Sequence, residues 1–405
     1  MSDNTKKMRL GIEVNSLVGA HAMVHVFYLF FTPLLPLIAT QFGLNYQQTG
    51  LLVTVCYGAY GLAGLPAGLI SDRLGGARTA AMALGIASLG ALISGLATGL
   101  GQLTIGMVLM GMGAGFYHPA GFTTLAHVVP QAQYGKAMGI HGIGGNIGSA
   151  VGPLVTGVVL LFTAWQGPFI FWAVPGLLVA GALFRVHQRH SVPQTKAAEA
   201  ETAAGSSFHL PTVVFLVLLL AGLHGLFTTT VFTYLPTFLQ DVRGQMAATS
   251  SFWVTSLYAV GVGGQMLGGW LTDHRSRRAP LLWGGSAAAV GLFLLIRVVS
   301  PVGMIALFIL LGFSLFAIQP PMTAILADVV EQRRRGFVFG LLFVSQFGSG
   351  ALAPLLGGVV AQTYGLQTVF LLGALVAGLS YAGAWLIPPG RTVVLAKPGA
   401  IDSSV

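Results

Sequence analysis

Histidines carry most of the chemistry available to this chain. His21 and His25 stand four residues apart, about one turn of helix, within one apolar stretch, and His118 and His224 stand singly in two others. Gln319 occupies the place of His118 in a second copy of the sequence, and His141, Asn146, Gln265 and Gln346 are further polar residues inside apolar runs. Imidazole titrates near neutrality, hydrogen-bonds through either ring nitrogen and ligates transition metals. Three chemistries follow: carrying a proton, holding an anionic group once protonated, and ligating a metal through His21-x3-His25 with His118 or His224. A fourth reading is structural, since a lone histidine in a membrane helix also serves as a packing hydrogen-bond partner. Ionisable groups at membrane depth are costly, which favours a functional reading for the group as a whole. No Asp or Glu lies near the middle of any apolar stretch, so a proton-driven protein with this sequence has to titrate histidine.

Long helices must position these side chains. The chain has 405 residues, 55% of them hydrophobic and only 7% charged, with 57 glycines. A soluble domain carries about 25% charged residues. Twelve apolar segments of roughly bilayer-spanning length read as helices at 12–38, 47–71, 78–99, 103–127, 137–161, 166–186, 210–238, 248–272, 280–299, 302–327, 337–362 and 366–388. Alternating barrel-type strands are absent from the pattern. The expected fold class is therefore an all-α polytopic membrane protein.

The chain also repeats itself 201 positions apart. Leu125-Ala126-His127-Val128-Val129, with Gly135 and Gly139 beyond, returns as Leu326-Ala327-Asp328-Val329-Val330, with Gly336 and Gly340. The same shift carries Thr54 onto Thr255, Tyr57 onto Tyr258, Asp72 onto Asp273 and Pro153-Leu154 onto Pro354-Leu355. A half-chain repeat in an apolar sequence marks two copies of one six-helix unit, the plan of secondary transporters. The expected domains are an N-terminal half over 1–187, a polar cytoplasmic linker over 188–209, a C-terminal half over 210–390 and a short cytoplasmic tail over 391–405. Counting along the helices puts His25 and His224 near mid-membrane, with His21 a turn nearer the cytoplasm.

The net charge of +9 is topological. With the N-terminus inside, nearly all Lys and Arg fall on cytoplasmic segments, and the opposite side keeps only Arg243 and the border residue Arg297. The expected location is the cytoplasmic or inner membrane, with both termini cytoplasmic. The first segment follows Lys6, Lys7 and Arg9 but is too long for a cleaved signal and leads into another apolar span. Cys56 stands alone, which leaves no intramolecular disulfide or thiolate cluster. No phosphate-binding glycine loop ending in Lys-Ser/Thr occurs, no basic face interleaved with aromatics fits nucleic acid, and no membrane serine–histidine pair has an acidic partner. An enzyme, a cofactor and a resident metal are accordingly not expected.

Gly68-Leu69-Ile70-Ser71-Asp72-Arg73-Leu74-Gly75-Gly76-Ala77-Arg78 joins the second and third spans. It resembles the signature loop of the major facilitator superfamily, with Gly76 and Ala77 in place of two usual basic residues. Its second copy begins at Gly269 and holds Asp273, His274, Arg275, Arg277 and Arg278. In that family the loop stabilises the outward-facing state by tying the halves together at the cytoplasmic face. The resemblance thus implies gating roles for Gly68, Asp72, Arg73, Arg78, Asp273 and Arg275, with Asp328 at a neighbouring helix end. By the same reading, Asp72 faces the helix start near Gly336–Gly340, and Asp273 the one near Gly135–Gly139. Gly139-x8-Gly148-x3-Gly152-Pro153-x2-Thr156-Gly157 is similar to the family's antiporter motif, which adds Gly148, Gly152 and Pro153 to the gating set. Helix packing alone is the other reading of those glycines. Phe116-Tyr117-His118-Pro119 and Gly144-Gly145-Asn146-Ile147-Gly148-Ser149 resemble the fosmidomycin-resistance type of exporter. His25 stands where that group has an aspartate.

The resemblance implies a fold of twelve helices in two pseudo-symmetric halves, with spans one, four, seven and ten lining the cleft. His21, His25, His118, His224 and Gln319 fall on those spans. The expected function is a proton-coupled exporter of a small organic molecule, with an anionic one favoured by protonated imidazoles. It works in the lipid bilayer as a monomer, with protons as the coupling ion. The alternatives are uptake by proton symport or facilitated diffusion, a metal-ion transporter using the histidines, and a membrane receptor that does not transport.

Overall fold

A computed structural model describes residues 3–130, 133–187, 211–331 and 334–387. The expected linker over 188–209 and tail over 391–405 lie outside the described residues. Fifteen α-helices follow one another among those described: α1 Asp3–Leu29, α2 Leu35–Phe42, α3 Tyr46–Leu74, α4 Gly76–Gly95, α5 Leu100–Val128, α6 Tyr134–Val159, α7 Gln166–His187, α8 Thr212–Thr237, α9 Ala247–His274, α10 Ala279–Leu295, α11 Pro301–Ala317, α12 Gln319–Val329, α13 Arg335–Phe343, α14 Ser349–Tyr364 and α15 Leu366–Ala384.

Local chemistry explains the breaks. The first expected span is interrupted after Leu29 by a 3₁₀ turn at Thr32–Leu34, because Pro33 and Pro36 have no amide hydrogen to continue the helical ladder. Pro320 and Pro321 split the tenth span at Ile318 between α11 and α12 in the same way. Asn45 starts α3 with a reciprocal cap: its side chain accepts from Gln48 N at 2.9 Å while Gln48 Oε1 accepts from Asn45 N at 3.0 Å. The turn from α3 to α4 pivots on Gly75, whose φ of +86° lies in the left-handed region that favours glycine. Two single π turns, Phe238–Val242 after α8 and Val344–Gly348 between α13 and α14, insert an extra residue into long spans.

Among the described residues nine helical segments are long and apolar enough to cross a membrane, and the pair Tyr46–Gly64 and Pro66–Leu74, bent by 50°, makes a tenth. The remaining two expected segments are also helical. In α9 the Thr, Ser and Gln content lowers the hydropathy, and α10 has only 17 residues. Large apolar side chains such as Phe162 and Leu62 are 81% and 70% exposed, as a lipid-facing surface requires.

The helices gather into two compact units that cut across the two copies of the repeat. The first combines α1–α7 with Thr229–Ala259 and Gly350–Phe370. Its core includes Phe27, Phe30, Phe31 and Phe169, with Phe30 meeting Phe169 edge to face at 4.9 Å. The second contains the start of α8 up to Thr228, Val260–Ser349 and α15 from Leu371. Val214, Ala221, Leu281, Ile325, Leu326 and Val338 are buried in its core.

Candidate functional site

Four histidines converge inside the first unit. His21 and His25 project from one face of α1 and meet edge to face, with ring centroids 4.7 Å apart. His118 on α5 comes within 5.3 Å of His21 and 5.9 Å of His25, nearly perpendicular to both. His141 on α6 stacks on His21 at 4.1 Å with planes 6° apart. Tyr60 on α3 closes one side, 5.7 Å from His118.

Hydrogen bonds assign the proton on three of these rings. His21 Nδ1 lies 2.8 Å from the His141 carbonyl oxygen, so it donates, and the lone pair is left on Nε2. His25 Nδ1 lies 3.0 Å from Ser149 Oγ, and that hydroxyl donates to the Gly145 carbonyl at 2.9 Å. The ring is therefore the donor again, and its lone pair is also on Nε2. Tyr117 Oη donates to the Leu17 carbonyl at 2.7 Å, so His141 Nε2, 3.2 Å away, donates to the tyrosine oxygen. Each ring is held by a fixed partner, as at sites where one nitrogen must be presented in a set direction.

The glycine run of α6 makes this convergence possible. A Cβ at Gly148 would collide with the Ala22 carbonyl of α1, and one at Gly144 with the Val18 carbonyl. A Cβ at Gly145 would stand 2.8 Å from His21 Cε1 and 2.9 Å from His25 Nε2. Gly152 is looser, with Val26 Cα at 3.3 Å, and Pro153 is buried beside it. Gly68, Gly135, Gly139 and Gly340 have open space where a Cβ would stand.

The second unit holds a different polar pair. Gln319 and Gln346 exchange side-chain hydrogen bonds of 3.1 and 3.0 Å, with Gln346 set on the π turn. His224 lies in this unit, buried, 5.2 Å from Phe227, and its Nδ1 meets no hydrogen-bond partner. Asn146 on α6 and Gln265 on α9 are half-buried.

Charged residues of the signature loops sit at helix ends. Asp72, Arg73, Arg78 and Arg275 are exposed. In the second loop, Arg277 grips Asp328 with two nitrogens, Nε at 2.8 Å and Nη2 at 3.3 Å, and reaches Asp273 with Nη1 at 3.0 Å. Those carboxylates, Asp328 foremost, raise the guanidinium pKa further, so Arg277 stays charged.

Sequence reasoning missed a set of contacts within the first unit, at the opposite helix ends. Tyr46 Oη donates to Asp241 at 3.0 Å, and Tyr46 N donates to Gln362 Oε1 at 3.2 Å. Gln240 Nε2 donates to the Pro33 carbonyl at 3.0 Å, Leu355 N to Thr54 Oγ1 at 3.0 Å, and Tyr234 Oη to the Pro354 carbonyl at 2.6 Å. At Gly50 a Cβ would strike that same Pro354 carbonyl. Four of these five interactions tie the first repeat copy to the second.

The Major Facilitator Superfamily profile matches residues 17–301 and 245–402. The chain belongs to this superfamily. Its fold agrees: a bacterial homologue of the human lysosomal transporter Spinster superposes with a TM-score of 0.81 at 18% identity, covering 95% of this chain and 97% of that one. The hexuronate transporter of Bacillus subtilis (strain 168) is 25% identical over 393 residues, 91% of each chain. The fosmidomycin resistance protein of Escherichia coli (strain K12) is 22% identical over 349 residues, 84% of each chain, in line with the resemblance seen in α5 and α6. The protein is thus a multi-pass, all-α membrane transporter of the Major Facilitator Superfamily.

Proposed function

We propose that this transporter exports a small organic anion in exchange for protons across the cytoplasmic membrane, working as a monomer. The observation that carries the reading is the convergence of His21, His25, His118 and His141 from three helices of one unit. Once protonated, such a cluster offers cationic hydrogen-bond donors to a carboxylate, and its free ring nitrogens are proton sites in helices that have no central carboxylate. By their positions in the sequence, His224, Gln319, Gln346, Asn146 and Gln265 are the further polar candidates for contact with the molecule. Curated relatives named as a hexuronate transporter and a probable L-galactonate transporter, the latter 24% identical over 355 residues, support an anionic, carboxylate-bearing class. Enzymatic catalysis and a cofactor play no part in this reading.

The test is efflux from inverted and right-side-out vesicles with imposed proton gradients. Accumulation in inverted vesicles, driven by inside-acid pH, is the expected result. Accumulation only in right-side-out vesicles would show uptake instead. Replacing His21, His25, His118 and His224 together with alanine is expected to abolish proton-driven transport, and unaltered transport in that variant would refute the site.

By the charge distribution along the sequence, the helix ends at Asp72 and at Asp273 each read as cytoplasmic, and those at Tyr46 and Asp241 as external. We assign Asp72, Arg73, Arg78 and the Asp273–Arg277–Asp328 group to cytoplasmic gating. A carboxylate facing a helix N-terminus is worth about 0.3–1 kcal/mol at an exposed site, which biases a two-state equilibrium and leaves the substrate site untouched. Asp72→Asn should slow turnover several-fold with substrate affinity at equilibrium nearly unchanged. Spin-label distances across the cytoplasmic ends should shift toward the open population; unchanged distances would contradict the assignment.

A further inference from the structure

We propose that His21, His25 and His118 form a binding site for one divalent transition-metal ion of the Zn²⁺, Ni²⁺ or Cu²⁺ class. The site rests on its own geometry and stands whether or not the exported molecule is an anion. One ring nitrogen from each of the three lies within 4.8 Å of the other two. Tetrahedral coordination at metal–nitrogen distances of 2.0–2.1 Å sets ligand nitrogens about 3.3 Å apart. Small ring rotations therefore close the triad. The three rings stand nearly perpendicular to one another, at 88°, 89° and 82°, so their edges, where the lone pairs lie, can converge without the ring faces colliding.

The surroundings match what a metal demands of histidine. A ligating imidazole gives its other N–H to a carbonyl or a similar acceptor, which fixes the tautomer and the ring direction. His21 does this through the His141 carbonyl and His25 through Ser149 Oγ, itself anchored on the Gly145 carbonyl. Gly145 keeps the space beside His25 Nε2 clear. Among the described residues no carboxylate or thiol joins the triad. Imidazole-only ligation suits the borderline cations and excludes magnesium and calcium, which need oxygen ligands. Three neutral ligands leave the ion its full charge, so the fourth position is one for water or an anion.

The experiment uses the full-length, tag-free protein in detergent, with Co²⁺ as the spectroscopic probe and Zn²⁺ as competitor. One Co²⁺ per chain, with the visible absorption of a four-coordinate nitrogen site displaced by Zn²⁺, is the expected result. His25→Ala should abolish that spectrum, and His224→Ala should leave it unchanged. Ser149→Ala keeps all three ligands and should weaken binding by roughly 10–100-fold through loss of the ring's anchor. Monodispersity on gel filtration and the helical circular dichroism signal establish that each variant is folded. Absence of the Co²⁺ spectrum in the wild type, or its persistence in a folded His25→Ala protein, would overturn the proposal. If His25→Ala does not fold, the wild-type spectrum and the Ser149→Ala affinity decide it.

Discussion

Gly50→Leu is expected to cut transport roughly a hundredfold while leaving the protein folded. At Gly50 the first repeat copy passes so close to the second that a Cβ would strike the Pro354 carbonyl and stand 2.5 Å from Tyr234 Oη. A leucine there forces α3 away from α14 and breaks the neighbouring bonds, Leu355 N to Thr54 Oγ1 and Tyr46 N to Gln362 Oε1. These bonds join the copies at the ends proposed to be external, so the substitution holds that side open. Interior overpacking costs typically about 1–3 kcal/mol. Against a two-state equilibrium, about 2.7 kcal/mol would shift the population a hundredfold. The expected outcome is a fall in transport of roughly a hundredfold by that arithmetic, with a cysteine placed at Thr237 becoming reactive to an impermeant maleimide from outside. Full transport in the leucine variant would show that this approach is not part of the cycle.

Gly148→Leu acts on the fold itself. A Cβ at Gly148 would overlap the Ala22 carbonyl and crowd Ala22 Cα, at 2.8 Å. Main chain cannot rotate aside as a side chain can, so α1 and α6 must separate and the His21–His141 stack is lost with them. Thermal unfolding in detergent should drop by several degrees or more, and proton-driven transport should vanish. Gly139→Ala is the matched control. It belongs to the same sequence motif, its surroundings are open, and alanine is the better helix former by up to about 1 kcal/mol, so stability should hold or rise. Equal damage from both variants would mean that the motif's glycines act through something other than this contact.

Much of this was legible in the residues. Apolar length, the 201-residue repeat and the Asp72 loop pointed to the fold, because bilayer thickness and backbone hydrogen bonding leave few alternatives. The histidines were legible as candidates because ionisable groups are costly in such helices. Their arrangement was less so. His141 was a secondary candidate by position along its helix, yet it stacks on His21, because Gly144 and Gly148 let α6 press against α1. Counting by depth grouped His224 with the other three, while it lies in the second compact unit with Phe227 and Thr228 for neighbours. Gln319 and Gln346 were separate candidates, and nothing in periodicity announced that the π turn would aim one amide at the other.

The bonds between the repeat copies at Pro33, Tyr46 and Leu355 share a property with a practical consequence. The bonds at Pro33, Tyr46 N and Leu355 each pair a side chain on one copy with a main-chain atom on the other. An alanine scan would see only half of every bond, because truncating Leu355 leaves its amide where it was. Substitutions at these main-chain partners would score as silent as long as the helix path is kept. The same positions are therefore free to drift in residue type between relatives while the closure persists. A reading of sequence variation would rank them among the least important sites on the chain, although the backbone there joins the two copies.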